Sequence, residues 1–318
     1  PWELGSEELI GSELFTGLLV HDGLTVAMRT ILMGFLVMFL IFTKISGIPD
    51  REDGADIYSL IFGATLGMCL MVSANHLLVV FLAIEMTSVP SYVLAALMKG
   101  RRRGSEAGLK YAIYGAGAAG IMLYGISLLS GLTSSAHLPT IALQLAEILP
   151  NMSASEQAVL CLSAIMIAAG VAFKLSVVPF HFWAPDVFHG ACAEVNAFLS
   201  IASKAAALAL LLRLAVGLGS VPLETVADRA ESHGAAANVQ LLDIQQTTPV
   251  AIFKDAAVES SDQRDDRMTR KAAKDAQLAP VRNFIGLLVA FFAIITTTFG
   301  NLAAYGQTNI KRMLAYST

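Results

Sequence analysis

Seven long runs almost free of charge decide what kind of fold this chain can adopt. Residues 23–43, 55–75, 77–98, 107–132, 156–180, 192–217 and 281–304 are each predominantly apolar. A helix rising about 1.5 Å per residue needs about 20 such residues to cross a hydrocarbon layer about 30 Å thick. An eighth run starts near Asn309. Only 14% of the 318 residues are charged, against about 25% in a soluble domain. The pattern predicts an all-α polytopic membrane protein, because only helices and closed barrels satisfy their own backbone in lipid. The second and third runs are separated by a polar turn around Asn75 and His76, which makes them antiparallel neighbours.

Basic residues set the orientation. Lys44 and Arg51 follow the first run, Lys99, Arg101, Arg102 and Arg103 the third, and Lys311 and Arg312 the seventh. The connections after the second and fourth runs hold no lysine or arginine. Neither does the segment 1–22, which carries Glu3, Glu7, Glu8 and Glu13. Positive loops face the cytoplasm, so segment 1–22 lies outside. Arg29 and Arg213 fall near outer ends of runs and are expected to snorkel to that interface. The chain thus divides into an extracytoplasmic segment 1–22, spans over 23–217, a hydrophilic extracytoplasmic insertion 218–280, and a seventh span with the start of an eighth over 281–318. The stretch 222–280 reads as a solvated insertion, helical in part or disordered, or alternatively as a patch that meets a neighbouring subunit. The chain starts at Pro1 and stops at Thr318 just after an apolar helix begins, and it reads as an incomplete product.

Several function classes drop out. A net charge of −4 gives no footprint for nucleic acid. Cys69, Cys161 and Cys192 are far apart and support no iron–sulfur, zinc or disulfide framework. GAGAAG (115–120) matches a dinucleotide fingerprint, but no strand precedes it and no acidic residue follows at the required distance. Small residues such as Ala116 and Gly120 instead suit close packing between membrane helices.

The informative residues are charges inside the spans. Lys174 stands in FKLSVVPFHFWAPD (173–186), with Pro179 after it. Glu85 stands in EMTSVP, with Pro90 after it. A proline in a helix deprives the carbonyl four residues back of its donor, and nearby Ser or Thr can rebond it. Lys204 lies deep in NAFLSIASKAAALALLLRL. A charge at membrane depth costs from about 2.5 to over 10 kcal/mol, and beside a helix defect it marks an ion or proton path. The plainer reading is a structural ion pair that holds two helices together. Burial disfavours a charged lysine and a nearby carboxylate favours it. Moving Glu85 relative to Lys174 would load or unload a proton that Lys204 accepts further on. His181 and His189 flank Trp183 and Asp186 and either relay protons or cap the broken helix.

The segments FKLSVVPFHFWAPDVF, NAFLSIASKAAALALLLRL and GNLAAYGQTNIKRMLAYST resemble the subunit N family of NADH-quinone oxidoreductase, respiratory complex I. That family belongs to the antiporter-like membrane subunits, which also include the Mrp-type cation/proton antiporters. The resemblance implies two inverted five-helix repeats, with the first complete, its fourth span discontinuous, and the second only begun. It implies Glu85 and Lys174 as a coupled pair and Lys204 as a central relay, and a multi-pass place in the bacterial inner membrane. Partners would be other membrane-arm subunits, antiporter-like neighbours among them. Quinone, FMN and iron–sulfur clusters would be bound elsewhere in the complex, with no cofactor in this chain. Two rivals are a stand-alone cation/proton antiporter and the membrane subunit of a related ferredoxin-linked complex. A scaffold whose charges only hold helices together is a third. The chain departs from the family at GACAEVNAF (190–198), where two usual prolines are lost and Glu194 is gained, and at the insertion.

Overall fold

The computed structural model describes residues 12–47, 54–97, 102–221 and 261–317. Glu3, Glu7, Glu8, Arg51, Lys99, Arg101 and most of the stretch 222–280 lie outside them. A short antiparallel hairpin of β1 (Ser12–Leu14) and β2 (Leu19–His21) comes first. Helices α1 (Gly23–Ser46), α2 (Gly54–Ser73), α3 (Leu77–Ala95) and α4 (Arg102–Thr133) follow. Next come the short α5 (Leu138–Ile148), then α6 (Ala154–Leu175), α7 (Trp183–Gly190) and α8 (Ala193–Gly219). After the insertion come α9 (Ser261–Gln277), α10 (Ala279–Tyr305) and α11 (Ile310–Ser317). Among the described residues 7 helices are long and apolar enough to cross a membrane, namely α1, α2, α3, α4, α6, α8 and α10.

Local chemistry sets several ends. Asp22 caps α1 by accepting from the Thr25 amide at 2.8 Å, and Gly47 closes it with φ 65. Ser153 and Glu156 form a reciprocal capping box on α6. His76 caps α3 at the Leu78 amide. Pro139 sits in the first turn of α5, where its missing N–H costs nothing. The core runs through α2 and α3, whose facing sides are buried, whereas α10 has no buried residue. At Gly67 of α2 a side chain would meet Thr87 of α3 at 2.7 Å, so the two helices touch backbone to backbone.

Several expectations need correcting. The fifth span is discontinuous as expected, though its helix stops at Leu175 rather than 180; α5 and the hairpin form where no element was expected. Arg29 does not snorkel: its Nη2 donates to Ser73 Oγ at 2.7 Å, and its Nε to the Cys69 carbonyl at 3.4 Å. Arg213 is buried, at 8% exposure. It donates from Nε to the Val72 carbonyl at 2.6 Å, and from Nη2 to Asp22 and Thr25 at 2.8 and 2.9 Å. The last carbonyls of a helix lack partners and carry partial negative charge, so the end of α2 attracts both guanidinium groups. Finally, Ala116 and Gly120 are exposed, and the close approaches of α4 fall at Gly108, Gly115 and Gly125.

Burial alone would push the Asp22 carboxyl up, but the bonds from Arg213 and Thr25 hold it below the usual carboxylate range. At the same end, Asn75 Nδ2 donates to Glu13 at 2.9 Å, and Glu13 also meets His137 at 2.9 Å. The opposite end is tied by ions. Asp186 of α7 pairs with Lys110 of α4 at 2.7 Å and with Arg312 of α11 at 2.9 Å. Lys311 donates to the Ala191 carbonyl at 2.9 Å.

Candidate functional site

The site forms where α6 ends. Lys174 occupies its last turn and is only 2% exposed. The chain then leaves the helix: Ser176 takes a left-handed conformation at φ 58, and helix resumes at Trp183. The Val177 amide returns to the Ala172 carbonyl at 2.9 Å. Two distant groups complete the break. Trp183 donates its indole N–H to the Phe173 carbonyl at 3.2 Å, and the Val178 amide donates to Thr296 of α10 at 3.1 Å. Pro179 therefore lies beyond the helix end, in the break itself. His181 is half-buried in the same break, with its Nδ1 buried and without a hydrogen-bond partner. Its ring lies 6.0 Å from that of Tyr316.

Lys174 reaches α3. Its Nζ donates to Ser88 Oγ at 3.0 Å, and Ser88 donates to the Ile84 carbonyl at 2.7 Å. Glu85 is half-buried one turn from Ser88 and close enough to Lys174 for their charges to interact. The structure thus brings Lys174 to the Glu85–Ser88 turn, with a hydroxyl as the direct contact. Pro90 is inside α3, and the helix continues through it. The hydroxyls of Thr87, Ser88 and Ser91 bond the carbonyls of Ala83, Ile84 and Thr87. They do not serve the carbonyl of Met86, the one that Pro90 deprives of a donor. Lys204 is half-buried midway along α8.

Aromatic rings wall this site. Tyr111 of α4 stacks on Trp183 at 4.2 Å, Tyr92 of α3 meets Tyr111 edge-on at 4.7 Å, and Phe173 lies 5.3 Å from Trp183. Ser88 and Tyr92 were not singled out from the sequence, although Glu85, Ser88 and Tyr92 share one helical face at one-turn spacing. Lys110 was missed too, since its partner Asp186 is distant in sequence. Among the described residues no group of three His, Cys, Asp or Glu side chains could hold a metal ion.

Known proteins resemble this chain in sequence and fold. The family model for the NADH:quinone oxidoreductase/Mrp antiporter transmembrane region matches residues 74–223 and 274–318. NADH-quinone oxidoreductase subunit N 2 of Sorangium cellulosum is 35% identical over 313 residues, covering 96% of this chain and 51% of that protein. Subunit N of an Anaeromyxobacter species is 32% identical, covering 96% and 50%. The chain spans about half the length of the curated relatives it matches. Among solved structures, a chain of respiratory complex I from Thermus thermophilus with bound aureothin superposes with a TM-score of 0.61 at 26% identity, covering 96% of this chain and 50% of that one. A chain of the archaeal membrane-bound sulfane sulfur reductase superposes at 0.59 with 21% identity, a likeness of fold alone. The family model covers more than half of the residues, Glu85, Lys174 and Lys204 among them, and the chain belongs to the NADH:quinone oxidoreductase/Mrp antiporter transmembrane family.

Proposed function

We propose that the chain is a proton-translocating membrane-arm subunit of a respiratory NADH:quinone oxidoreductase in the bacterial inner membrane. The observation that carries this reading is Lys174, buried at a helix end with its ammonium on Ser88 and a carboxylate one turn away. An ammonium in such a place is costly unless a counter-charge offsets it. A small displacement of α3 against the end of α6 therefore changes whether Lys174 holds its proton. Glu85 and Lys174 act as the coupled pair, Lys204 receives the proton further along, and the break that contains Pro179, held by Trp183 and Thr296, gives the pair room to move. His181, lining that break, serves as a side station for protons. Electron transfer supplies the driving force from other subunits, which bind flavin, iron–sulfur clusters and quinone.

A stand-alone cation/proton antiporter is the second reading, favoured by the breadth of the matched family, which spans Mrp antiporters. Native electrophoresis of solubilised membranes separates the two: a complex I subunit migrates with flavin and iron–sulfur subunits, an antiporter without them. Within the complex, Lys204→Ala is expected to lower protons moved per electron sharply, since losing a positioned proton-transfer group slows its step by about 10²–10⁴. Unchanged pumping in a normally assembled complex would exclude Lys204 from the path.

A further inference from the structure

Tyr92 carries a hydroxyl with no task in the scheme above. It lies on α3 one turn after Ser88 and two turns after Glu85, on the same face. The hydroxyl oxygen is buried and makes no hydrogen bond. The Ser88 hydroxyl lies within interaction range of it, outside hydrogen-bond geometry, and Glu85 lies within electrostatic reach. A buried hydroxyl is seldom left unpaired, and such an exception needs an explanation. The ring alone does not supply one, because a phenylalanine would pack against Tyr111 equally well.

The facing helix leaves space for the group. A Cβ at Gly115 of α4 would stand 2.0 Å from the Tyr92 oxygen. The first glycine of GAGAAG is thus a notch for a hydroxyl. By the charge pattern α3 runs from the outside inward, so Tyr92 lies on the cytoplasmic side of Ser88. Lys110, next to Tyr111 on α4, carries the Asp186 pair at that end. The titratable groups facing Tyr92 are Glu85 on its own helix, Tyr111 from α4, and Lys174 from α6 by way of Ser88.

We propose that the Tyr92 hydroxyl passes protons between water entering from the cytoplasmic end and the Ser88 hydroxyl on which Lys174 rests. In uptake, the Tyr92 oxygen gains a proton from a hydronium ion at the cytoplasmic end, which leaves as water, and releases its own to Ser88 Oγ. Ser88 turns its O–H away from the Ile84 carbonyl and releases that proton to the neutral amine of Lys174. Each O–H broken is matched by one O–H or N–H formed, and one proton has moved. The idea rests on the proposed role of Lys174 in proton translocation.

The test uses the intact complex in inverted membrane vesicles, with electron transfer and pH-gradient formation measured together across pH. Subunit content in the membrane is measured first. Tyr92→Phe keeps the ring and removes only the hydroxyl, with Lys174→Ala alongside as reference. Pumping per electron should fall about three- to tenfold in Tyr92→Phe, less than loss of a direct acid or base, since water can enter the vacated place. Full pumping in Tyr92→Phe with pumping abolished in Lys174→Ala overturns the Tyr92 relay and leaves the broader reading intact. Full pumping in both overturns both. Should Tyr92→Phe not accumulate, a fluorinated tyrosine at 92 keeps shape and hydroxyl while making the phenol more acidic. The pH profile of pumping should then shift, and an unshifted profile overturns the relay.

Discussion

EMTSVP around Glu85 and KLSVVP around Lys174 have one pattern in sequence and two outcomes in space. Helix α3 carries Pro90 in its interior and stays helical. Helix α6 stops at Leu175, well before Pro179 is reached. Proline costs about 3 kcal/mol inside a helix at either place, so proline is not what separates them. The partners are. In α3, hydroxyls of Thr87, Ser88 and Ser91 bond carbonyls of their own helix, and packing against α2 holds the direction. After Lys174, backbone groups are taken up from elsewhere, by the Trp183 indole and the Thr296 hydroxyl. A helix ends where outside groups satisfy its backbone, and continues where they do not.

Trp183→Ala tests this most severely. It removes a buried ring, its stack on Tyr111 and the donor to Phe173, and should destabilise the protein by about 3–5 kcal/mol. Thr87→Ala in α3 deletes a bond back to Ala83 and one buried methyl, and should cost about 1–2 kcal/mol. Thermal unfolding of the purified complex compares the two, and equal losses would dissolve the distinction. Smaller, and opposite in sign, is the effect of glycine. Ser176 sits at φ 58 with a buried, unbonded hydroxyl, so Ser176→Gly should stabilise by about 1 kcal/mol. Ser91→Gly, inside continuous helix, should destabilise by about 0.5–1 kcal/mol. Matching signs would mean that the break is not a true helix end. A control remote from both prolines is the acid limb of the melting profile. Asp22 titrates below its ordinary 3.8 when folded. Its pair with Arg213 therefore contributes fully above that value and is lost as pH falls through the lower, folded one. Asp22→Asn should flatten this acid limb of the melting profile, and wild type and Ser176→Gly should share it unchanged.

The spans were legible because lipid leaves few options: apolar runs without charge must be helices. Lys174 and Glu85 stood out for the same reason, each a charge where charge is expensive. What stayed hidden depends on partners distant in sequence. The end of α6 at Leu175 is set by Trp183 and Thr296, and nothing between 170 and 180 announces either. Arg29 and Arg213 looked like snorkelling residues because their acceptors are backbone carbonyls, which every residue has and no pattern marks. Helix α5 was missed because its 11 residues are too few for a span. Ser88 was the readable omission, sitting one turn from Glu85 on the face that Lys174 meets.

The two arginines on the last turn of α2 have a mechanical consequence. Arg29 belongs to α1 and Arg213 to α8, and both grip carbonyl or hydroxyl oxygens between Cys69 and Ser73. Sliding α2 along its axis by one turn would tear these bonds away together and strand two guanidinium groups in the bilayer. In the proposed scheme that helix is a stator. A stroke that moves Glu85 relative to Lys174 is then taken by α3 and by the unwound segment between α6 and α7, against a frame bolted at its outer edge.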